Sequence, residues 1–266
     1  MKEKQQLDLA CVPSQMADKL PKIFFEIHSG LPREGPGDNE STRKAYLMLC
    51  DLPENPRILD VGCGPGMQTI ELAKLSNGTI EALDNYQPYL EQLMNKAKEE
   101  NVAEKIRTIN GNMFALNYAD NSFDVIWSEG AIYIIGFEKG LREWKHLLTA
   151  KGYIAVSEVS WLKPNPPEEL RAYWEKNYPA IRTIQENLEI VKKVGYRIIS
   201  YFVLPEKNWW ENYYKPIEAK LPSLRSKHAD DHEALNFLAI EQLEIDMFRK
   251  YSEYYSYVFY IMQTTA

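Results

Sequence analysis

The sequence has little cysteine, no long apolar run and no excess of positive charge. Its three cysteines, Cys11, Cys50 and Cys63, form neither a CxxC pair nor a cluster with metal-ligand spacing, so we expect no disulfide framework, no metal site and a cytoplasmic location. No segment approaches the roughly 20 apolar residues that cross a bilayer, and the N-terminus lacks an apolar secretion signal. The formal net charge of -7 disfavours nucleic acid and anionic membranes as partners.

What the sequence does contain is an alternation of short apolar stretches with amphipathic ones. The segments between the apolar stretches place apolar residues every three or four positions, which predicts helices. The apolar stretches are rich in β-branched and aromatic residues, which predicts buried strands at 57–61, 79–84, 106–110, 123–128 and 152–161. This alternation predicts an α/β fold with a doubly wound, mostly parallel sheet and helices on both faces.

Two regions depart from the alternation. Residues 30–39 are dense in glycine and proline and separate an amphipathic segment at about 14–28 from a helix that starts near Asn39. Later prolines bracket a short helix, and an aromatic-rich helical stretch follows. We therefore predict an N-terminal helix and lid loop at 1–38, and a main domain at 39–266 with cap insertions at about 162–182 and 207–250.

The segment ILDVGCGPG at 58–66 places three glycines between the first strand and a helix that begins near Met67. At the carboxyl edge of a parallel sheet, such a turn exposes backbone N–H groups to a ligand. The spacing is GxGxG; a dinucleotide fingerprint would need a third glycine at position 67, and no GxxxxGK[ST] phosphate loop is present. Asp60, just before the turn, suits a ligand that carries an ammonium group. The structural alternative is a tight turn that only lets strand and helix pack.

The second predicted strand ends in EALDN, which places Asp84 at the tip of a strand beside the first. A carboxylate there can accept both hydroxyls of a ribose. Taken alone, an aspartate at a strand end is more often a helix cap or a turn former. Together with the glycine turn, it favours a ribose contact.

Four segments in this order resemble the class I S-adenosylmethionine-dependent methyltransferases, in particular the small-molecule enzymes related to the ubiquinone and menaquinone biosynthesis methyltransferases. They are ILDVGCGPG at 58–66, IEALDN at 80–85, NGNMFALNYADNSFDVIWS at 110–128 and LREWKHLLTAKGYIAVSE at 141–158. The resemblance covers about residues 40–160 and implies a Rossmann-like sheet of seven strands with an antiparallel last strand. It also implies that S-adenosylmethionine donates a methyl group to a nitrogen, oxygen, sulfur or carbon atom of a small molecule.

The resemblance further implies which residues contact the cofactor. Asp60 and the glycine turn would surround its methionine part, and Asp84 would hold the ribose. Asn112 stands where the family usually has an acidic residue, and its carbonyl oxygen would pair with the adenine amino group. The implied cofactor set is Asp60, Gly62, Cys63, Gly64, Gly66, Asp84, Asn85, Asn112, Met113, Ser128 and Glu129.

A sulfonium methyl group is already electrophilic, so such an enzyme must chiefly align the acceptor, exclude water and sometimes remove a proton. Candidate proton acceptors are His28, Glu129 and Tyr133. The alternative for His28 is a surface or satisfied histidine, and the alternative for Glu129 is a contact with the cofactor or the lid. Candidate substrate contacts are Arg33, Tyr133, Trp209 and Tyr213. Arg33 would meet a carboxylate when the lid closes, or would be an exposed solubilising residue.

Two other function classes stay open on the sequence. A nicotinamide-dependent oxidoreductase shares the sheet and the ribose acid but conflicts with the glycine spacing. A non-catalytic cofactor-binding protein would follow if the lid admitted no substrate. A homodimer is also open, because the aromatic residues that crowd the C-terminus suit either a core or a subunit interface.

Overall fold

The predicted strands pair in one sheet. The computed structural model describes residues 22–265, in which the strands are β1 (Arg57–Val61), β2 (Thr79–Asp84), β3 (Ile106–Asn110), β4 (Phe123–Glu129), β5 (Leu148–Trp161), β6 (Arg182–Thr183), β7 (Tyr196–Val203) and β8 (Tyr255–Thr264). Their order is β3-β2-β1-β4-β5-β8-β7, with β6 paired to β5. Only β8 runs antiparallel to its neighbours among these pairs. The predicted α/β fold with a mostly parallel sheet is confirmed, and the short β6 is an addition to it.

The helices follow the predicted amphipathic segments. They are α1 (Lys22–His28), α2 (Asn39–Tyr46), α3 (Met67–Leu75), α4 (Gln87–Glu99), α5 (Phe137–Trp144), α6 (Glu168–Asn177), α7 (Ile184–Val194), α8 (Lys207–Trp209), α9 (Lys215–Lys227) and α10 (His232–Tyr251), with a π-helical turn at Trp210–Tyr214 between α8 and α9. The first part of the predicted N-terminal amphipathic segment lies outside the described residues. Across residues 22–265, the structure has no helix with the length and apolar character needed to span a membrane.

Local chemistry sets several of the helix ends. The Asp38 side chain accepts a hydrogen bond from the backbone N–H of Ser41 and starts α2. Thr183 and Glu186 form a capping box at the start of α7, and Gly195 ends that helix in the left-handed conformation, with φ 87°. These are short-range signals, which is why the helix starts near Asn39 and at about 183 are readable in the sequence.

Within the described part of the chain, three apolar clusters hold the fold together. Two lie on opposite faces of the sheet, because adjacent strand residues such as Ile58 and Leu59 point to opposite sides. The third cluster contains residues of α1, α6, α8, α9 and α10 and lies above the ends of β5 and β8. Ile27, Trp209 and Phe248 are among its buried members. The predicted N-terminal lid and the predicted insertion at 207–250 therefore pack together, with α1 against α9 and α10. The division into those domains stays a prediction.

The C-terminal aromatic residues belong to the core. Tyr255, Phe259 and Tyr260 on β8 are all at most 1% exposed. Strand alternation and core packing thus account for them without a subunit interface. The homodimer stays a prediction for which these residues give no support.

Candidate functional site

A cavity of about 300 Å³ lies between the carboxyl ends of the parallel strands and the third apolar cluster. One end is lined by the glycine turn after β1, the tip of β2 and the residues that follow β3 and β4. The other end is lined by α1, the loop at 30–38, α6, the π-helical turn and α10. We call these the strand end and the cover end of the cavity.

The glycine turn combines packing with ligand access. A Cβ atom on Gly66, where φ is 87°, would lie 2.2 Å from Leu93 Cδ1, so this glycine is required for the close approach of α4. A Cβ atom on Gly64, where φ is 54°, would meet nothing nearer than Glu34 Cγ at 3.6 Å, and Gly64 lines the cavity. Packing therefore accounts for Gly66, whereas Gly64 leaves backbone facing the cavity. Gly62 and Cys63 also line the cavity, and their N–H groups donate to the Leu83 carbonyl oxygen.

Asp60 is fully buried and is not part of the cavity wall. Its Oδ2 accepts a hydrogen bond from Thr69 Oγ1 at 2.6 Å, while its Oδ1 has no hydrogen-bond partner among the described residues. Burial raises the pKa of Asp60 to about 7. A buried carboxylate oxygen without a donor is costly, so this atom fits the ammonium group of a bound cofactor or a water that such a group holds.

Asp84 ties the strand end together. Its Oδ2 accepts from the backbone N–H of Gly64 at 2.9 Å, and its Oδ1 accepts from that of Tyr86 at 3.0 Å. Burial raises the pKa of Asp84. Each carboxylate oxygen keeps further acceptor capacity toward the cavity, which the residue lines. Asp84 is thus both a turn former and a group that suits a pair of ribose hydroxyls.

The other predicted cofactor residues divide into two groups. Asn85 and Met113 line the cavity. Asn112 and Ser128 do not: the Asn112 Oδ1 atom accepts from the Phe114 N–H at 2.9 Å, and Ser128 Oγ donates to the Val61 carbonyl oxygen at 2.8 Å. The predicted adenine contact of Asn112 and the cofactor contact of Ser128 stay predictions.

Glu129 is held by three donors at the middle of the cavity. Its Oε2 accepts from Arg33 Nη2 at 2.6 Å, and its Oε1 accepts from Thr42 Oγ1 at 2.7 Å and Trp127 Nε1 at 2.9 Å. Arg33 is 4% exposed and also donates from Nε to the Gly35 carbonyl oxygen. Arg33 is therefore no solubilising surface residue, and its pair with Glu129 joins the loop at 30–38 to the end of β4.

His28 lies between two carboxylates. Its Nδ1 is 2.7 Å from Glu34 Oε2, and its Nε2 is 4.0 Å from Glu241 Oε1. Burial alone would lower the pKa of His28, but Glu241 and Glu34 outweigh burial and raise it to about 10. At neutral pH the ring is therefore an imidazolium without a free lone pair. This geometry favours a charged anchor of the cover over the predicted proton acceptor.

The cover end is aromatic. The predicted substrate residues all line the cavity: Trp209 at the end of α8 and Tyr213 on the π-helical turn lie at the cover end, and Tyr133 lies on the segment that follows β4. The Trp209 ring stacks on Phe248 with centroids 4.2 Å apart, and its Nε1 donates to Ser256 Oγ. These contacts fix the ring in one orientation, so that it forms a rigid wall.

Several residues that line the cavity were not predicted from the sequence. Tyr173, Trp174 and Tyr178 come from α6 and the residue after it, and they belong to a segment predicted only as an insertion. Further examples are Glu34, Tyr86, Tyr89, Glu241 and Glu244. For Glu241 and Glu244 a signal exists, because both fall on the apolar stripe of a long helix. Among residues 22–265, no group of three or more His, Cys, Asp or Glu is arranged to hold a metal ion.

Comparison with known proteins agrees with the geometry. A family model described as Methyltransferase domain matches residues 52–221. Sterol 24-C-methyltransferase erg-4 from Neurospora crassa is 24% identical over 185 residues, which cover 66% of this chain and 48% of that protein. Demethylmenaquinone methyltransferase from Lactiplantibacillus plantarum is 33% identical over 92 residues, which cover 34% of this chain and 39% of that protein. The chain thus spans about half, or less, of the length of these curated relatives.

Among solved structures, the fold matches an S-adenosylmethionine-dependent methyltransferase from Thiobacillus denitrificans in complex with S-adenosyl-L-homocysteine. The TM-score is 0.79 at 22% identity, and the match covers 92% of this chain and 99% of that one. At this identity the similarity concerns the fold.

Proposed function

The chain belongs to the methyltransferase-domain family, and from this premise we propose that it is an S-adenosylmethionine-dependent enzyme. It moves a methyl group to a nucleophilic nitrogen, oxygen, sulfur or carbon atom of a small molecule by in-line displacement.

The observation that carries the proposal is one continuous cavity with two different ends. The strand end has the glycine turn and Asp84, which suit the amino-acid and ribose parts of the cofactor. The cover end is enclosed and aromatic, which suits an acceptor held away from water. Because the two ends meet beside Glu129, a methyl group at the strand end would face the acceptor directly.

The residues fit the cofactor at three points. Asp60 Oδ1 lies behind the cavity wall and has no partner among residues 22–265, so it suits an ammonium group that it reaches through a water. Gly64 has no side chain between its backbone and the cavity, and Asp84 keeps acceptor capacity for a diol. When bound, S-adenosylmethionine supplies a methyl group on a sulfonium, which needs little further activation. The protein's task is then alignment and the exclusion of water.

The cover performs that exclusion. Arg33 closes the loop at 30–38 onto Glu129, and Gln92 on α4 donates to the Leu31 carbonyl oxygen. Glu129 therefore acts as the buried partner of the closed cover, and its predicted role as proton acceptor would require Arg33 to move away. Tyr133 lines the cavity, which supports its predicted contact with the acceptor.

The cavity volume favours a compact acceptor. About 300 Å³ is at the low end of the range for small-molecule sites, roughly 300 to 1,000 Å³. Because the cofactor and the acceptor would share this one cavity, the space left for the acceptor is small. We also propose a cytoplasmic enzyme without a nucleic-acid partner, in line with the net charge of -7 and the free Cys50 and Cys63.

Calorimetry with S-adenosylhomocysteine tests the cofactor half of the proposal. We expect binding by the wild type and a loss of about tenfold or more in Asp84→Ala, because a hydrogen bond to a charged group contributes about 1.5 to 3 kcal/mol. The matched control is Asp124→Ala, which removes a carboxylate near the start of β4, at the end of that strand away from Glu129 and the cavity. Tighter binding of a nicotinamide dinucleotide than of S-adenosylhomocysteine would contradict the proposal.

Turnover assays test the second half of the proposal, the transfer of a methyl group to a small-molecule acceptor. Amines, phenols, quinol precursors and thiols are offered with S-adenosylmethionine, and release of S-adenosylhomocysteine is measured. Turnover of at least one class is expected. Bound cofactor with no turnover of any class would instead favour a non-catalytic cofactor-binding protein.

A further inference from the structure

Two glutamates interrupt the apolar stripe of α10. The buried residues of this helix are Ala234, Phe237, Leu238, Ile245, Met247, Phe248 and Tyr251, and all of them except Met247 form one stripe with steps of three or four positions on either side of a gap. Glu241 and Glu244 occupy the gap in that series, on the same helical face. Carboxylates are rarely placed on a core-facing stripe unless something pairs with them.

Both glutamates line the cover end of the cavity. Glu244 is half-buried, and its Oε1 accepts a hydrogen bond from the Tyr214 hydroxyl at 3.0 Å. Glu241 lies 4.0 Å from His28 Nε2, whose ring is already bonded to Glu34 at 2.7 Å. The accessible parts of both carboxylates therefore belong to the cavity wall.

The charges that line the cavity do not balance. Five carboxylates (Glu34, Asp84, Glu129, Glu241 and Glu244) face two cations (Arg33 and His28). Arg33 pairs with Glu129, and His28 pairs most closely with Glu34. Within residues 22–265, neither Glu241 nor Glu244 has a Lys or Arg partner within 4.0 Å. S-adenosylmethionine carries a net charge of about +1, which does not offset the remaining three carboxylates.

Aromatic rings surround the unbalanced carboxylates. Phe24, Tyr173, Trp174 and Tyr213 line the same end of the cavity. Their π faces attract an organic cation, and they exclude the water that would otherwise solvate the carboxylates. Burial, and next the charge of Glu241, raise the pKa of Glu244, so that a cation bound beside it would stabilise its charged form.

We propose that the methyl acceptor binds at the cover end as an organic ammonium ion, with its nitrogen against Glu241 and Glu244. This inference rests on the proposed methyltransferase function. Before transfer, the ammonium gives one proton to the Glu244 carboxylate. The freed lone pair of the nitrogen then forms the N–C bond, while the electron pair of the breaking C–S bond stays on sulfur.

The test uses the full-length protein loaded with S-adenosylhomocysteine and two matched pairs of probes. Choline is compared with dimethylbutanol, in which carbon replaces the quaternary nitrogen, and phenethylamine is compared with phenethyl alcohol. Calorimetry should show at least one cation binding about tenfold or more tightly than its uncharged partner. The Glu241→Gln/Glu244→Gln variant should lose that preference, with Glu241→Gln alone as the second variant if the double one does not fold.

The matched control is Asp246→Asn, which removes an exposed carboxylate from the same helix. It should keep the preference for cations. The inference is overturned if neither cation binds, if the uncharged partners bind as tightly, or if the preference survives in a folded Glu241→Gln/Glu244→Gln variant. Loss of S-adenosylhomocysteine binding by the wild type is a separate outcome, which overturns the proposed function itself.

Discussion

The two ends of the cavity are built in different ways. The strand end comes from residues that each follow a strand of one parallel sheet, and Gly62, Cys63 and Gly64 of the glycine turn line it. The cover end comes from five separate segments and consists of side chains, most of them aromatic or acidic. The parallel sheet itself therefore provides the proposed cofactor site, whereas the proposed acceptor site depends on how separate helices pack.

The largest effect is expected at the contact that joins the two ends. Arg33→Met should lower the free energy of unfolding by about 3 to 5 kcal/mol, because it leaves the Glu129 carboxylate buried without its cation. Urea denaturation near neutral pH measures this loss. Adding Glu129→Gln should recover much of it, since the uncompensated charge is then gone.

The exposed Arg171, which pairs with Glu168 and Glu175 on α6, provides the control. Arg171→Met should change stability by less than about 1 kcal/mol. An equally small effect for Arg33→Met would show that the cover is not held by its buried pair.

A smaller effect separates packing from binding within the strand end. Gly66→Ala should cost about 2 to 4 kcal/mol of stability, because it adds a strained left-handed residue and forces Cβ into Leu93. Gly64→Ala should cost only about 1 to 2 kcal/mol, for the backbone strain alone, yet weaken S-adenosylhomocysteine binding. Thermal unfolding and calorimetry on both variants measure the two effects. Equal losses of stability would mean that Gly64 is also a packing position.

The smallest effect is a pH dependence at the cover end. The pKa of His28 is raised to about 10 by Glu241 and Glu34 against the effect of burial, so its contribution to stability is complete below about pH 6.5 and is lost as the pH rises through about 10. The wild-type Tm should therefore fall more between about pH 8 and pH 10.5 than the Tm of His28→Gln, by a few degrees.

The charged and titratable groups near this ring are Glu34, Glu241, Glu244, Tyr213 and Lys220. The tyrosine stays protonated in this range, because burial raises the pKa of Tyr213. Parallel Tm curves for the wild type and His28→Gln would contradict a charged His28.

Much of the strand end can be predicted from the sequence. Strand and helix periodicity places Asp84 and the glycine turn on neighbouring strands, and the carboxyl ends of parallel strands share one edge. The sequence cannot distinguish two glycines of the same motif that have different roles in the structure. Nothing in the sequence separates Gly66, which admits Leu93, from Gly64, which faces the cavity, because both have the same pattern around them.

The cover end could be predicted only in part. The aromatic spacing indicates Trp209 and Tyr213, but Tyr173 and Trp174 lie in a segment whose direction over the cavity is not encoded locally. Glu241 and Glu244 interrupt an apolar stripe, and that signal has meaning only once the stripe is known to face a cavity.

The order of strands and helices, the glycine turn and the position of Asp84 can be read from the amino-acid sequence, because these depend on contacts between chain neighbours and on the shared edge of a parallel sheet. Only the tertiary structure decided that Arg33 pairs with Glu129 and that His28 lies between Glu34 and Glu241. These contacts join residues far apart in the chain through the packing of helices. The charges of such groups depend on burial and on the carboxylates beside them, and both exist only after folding.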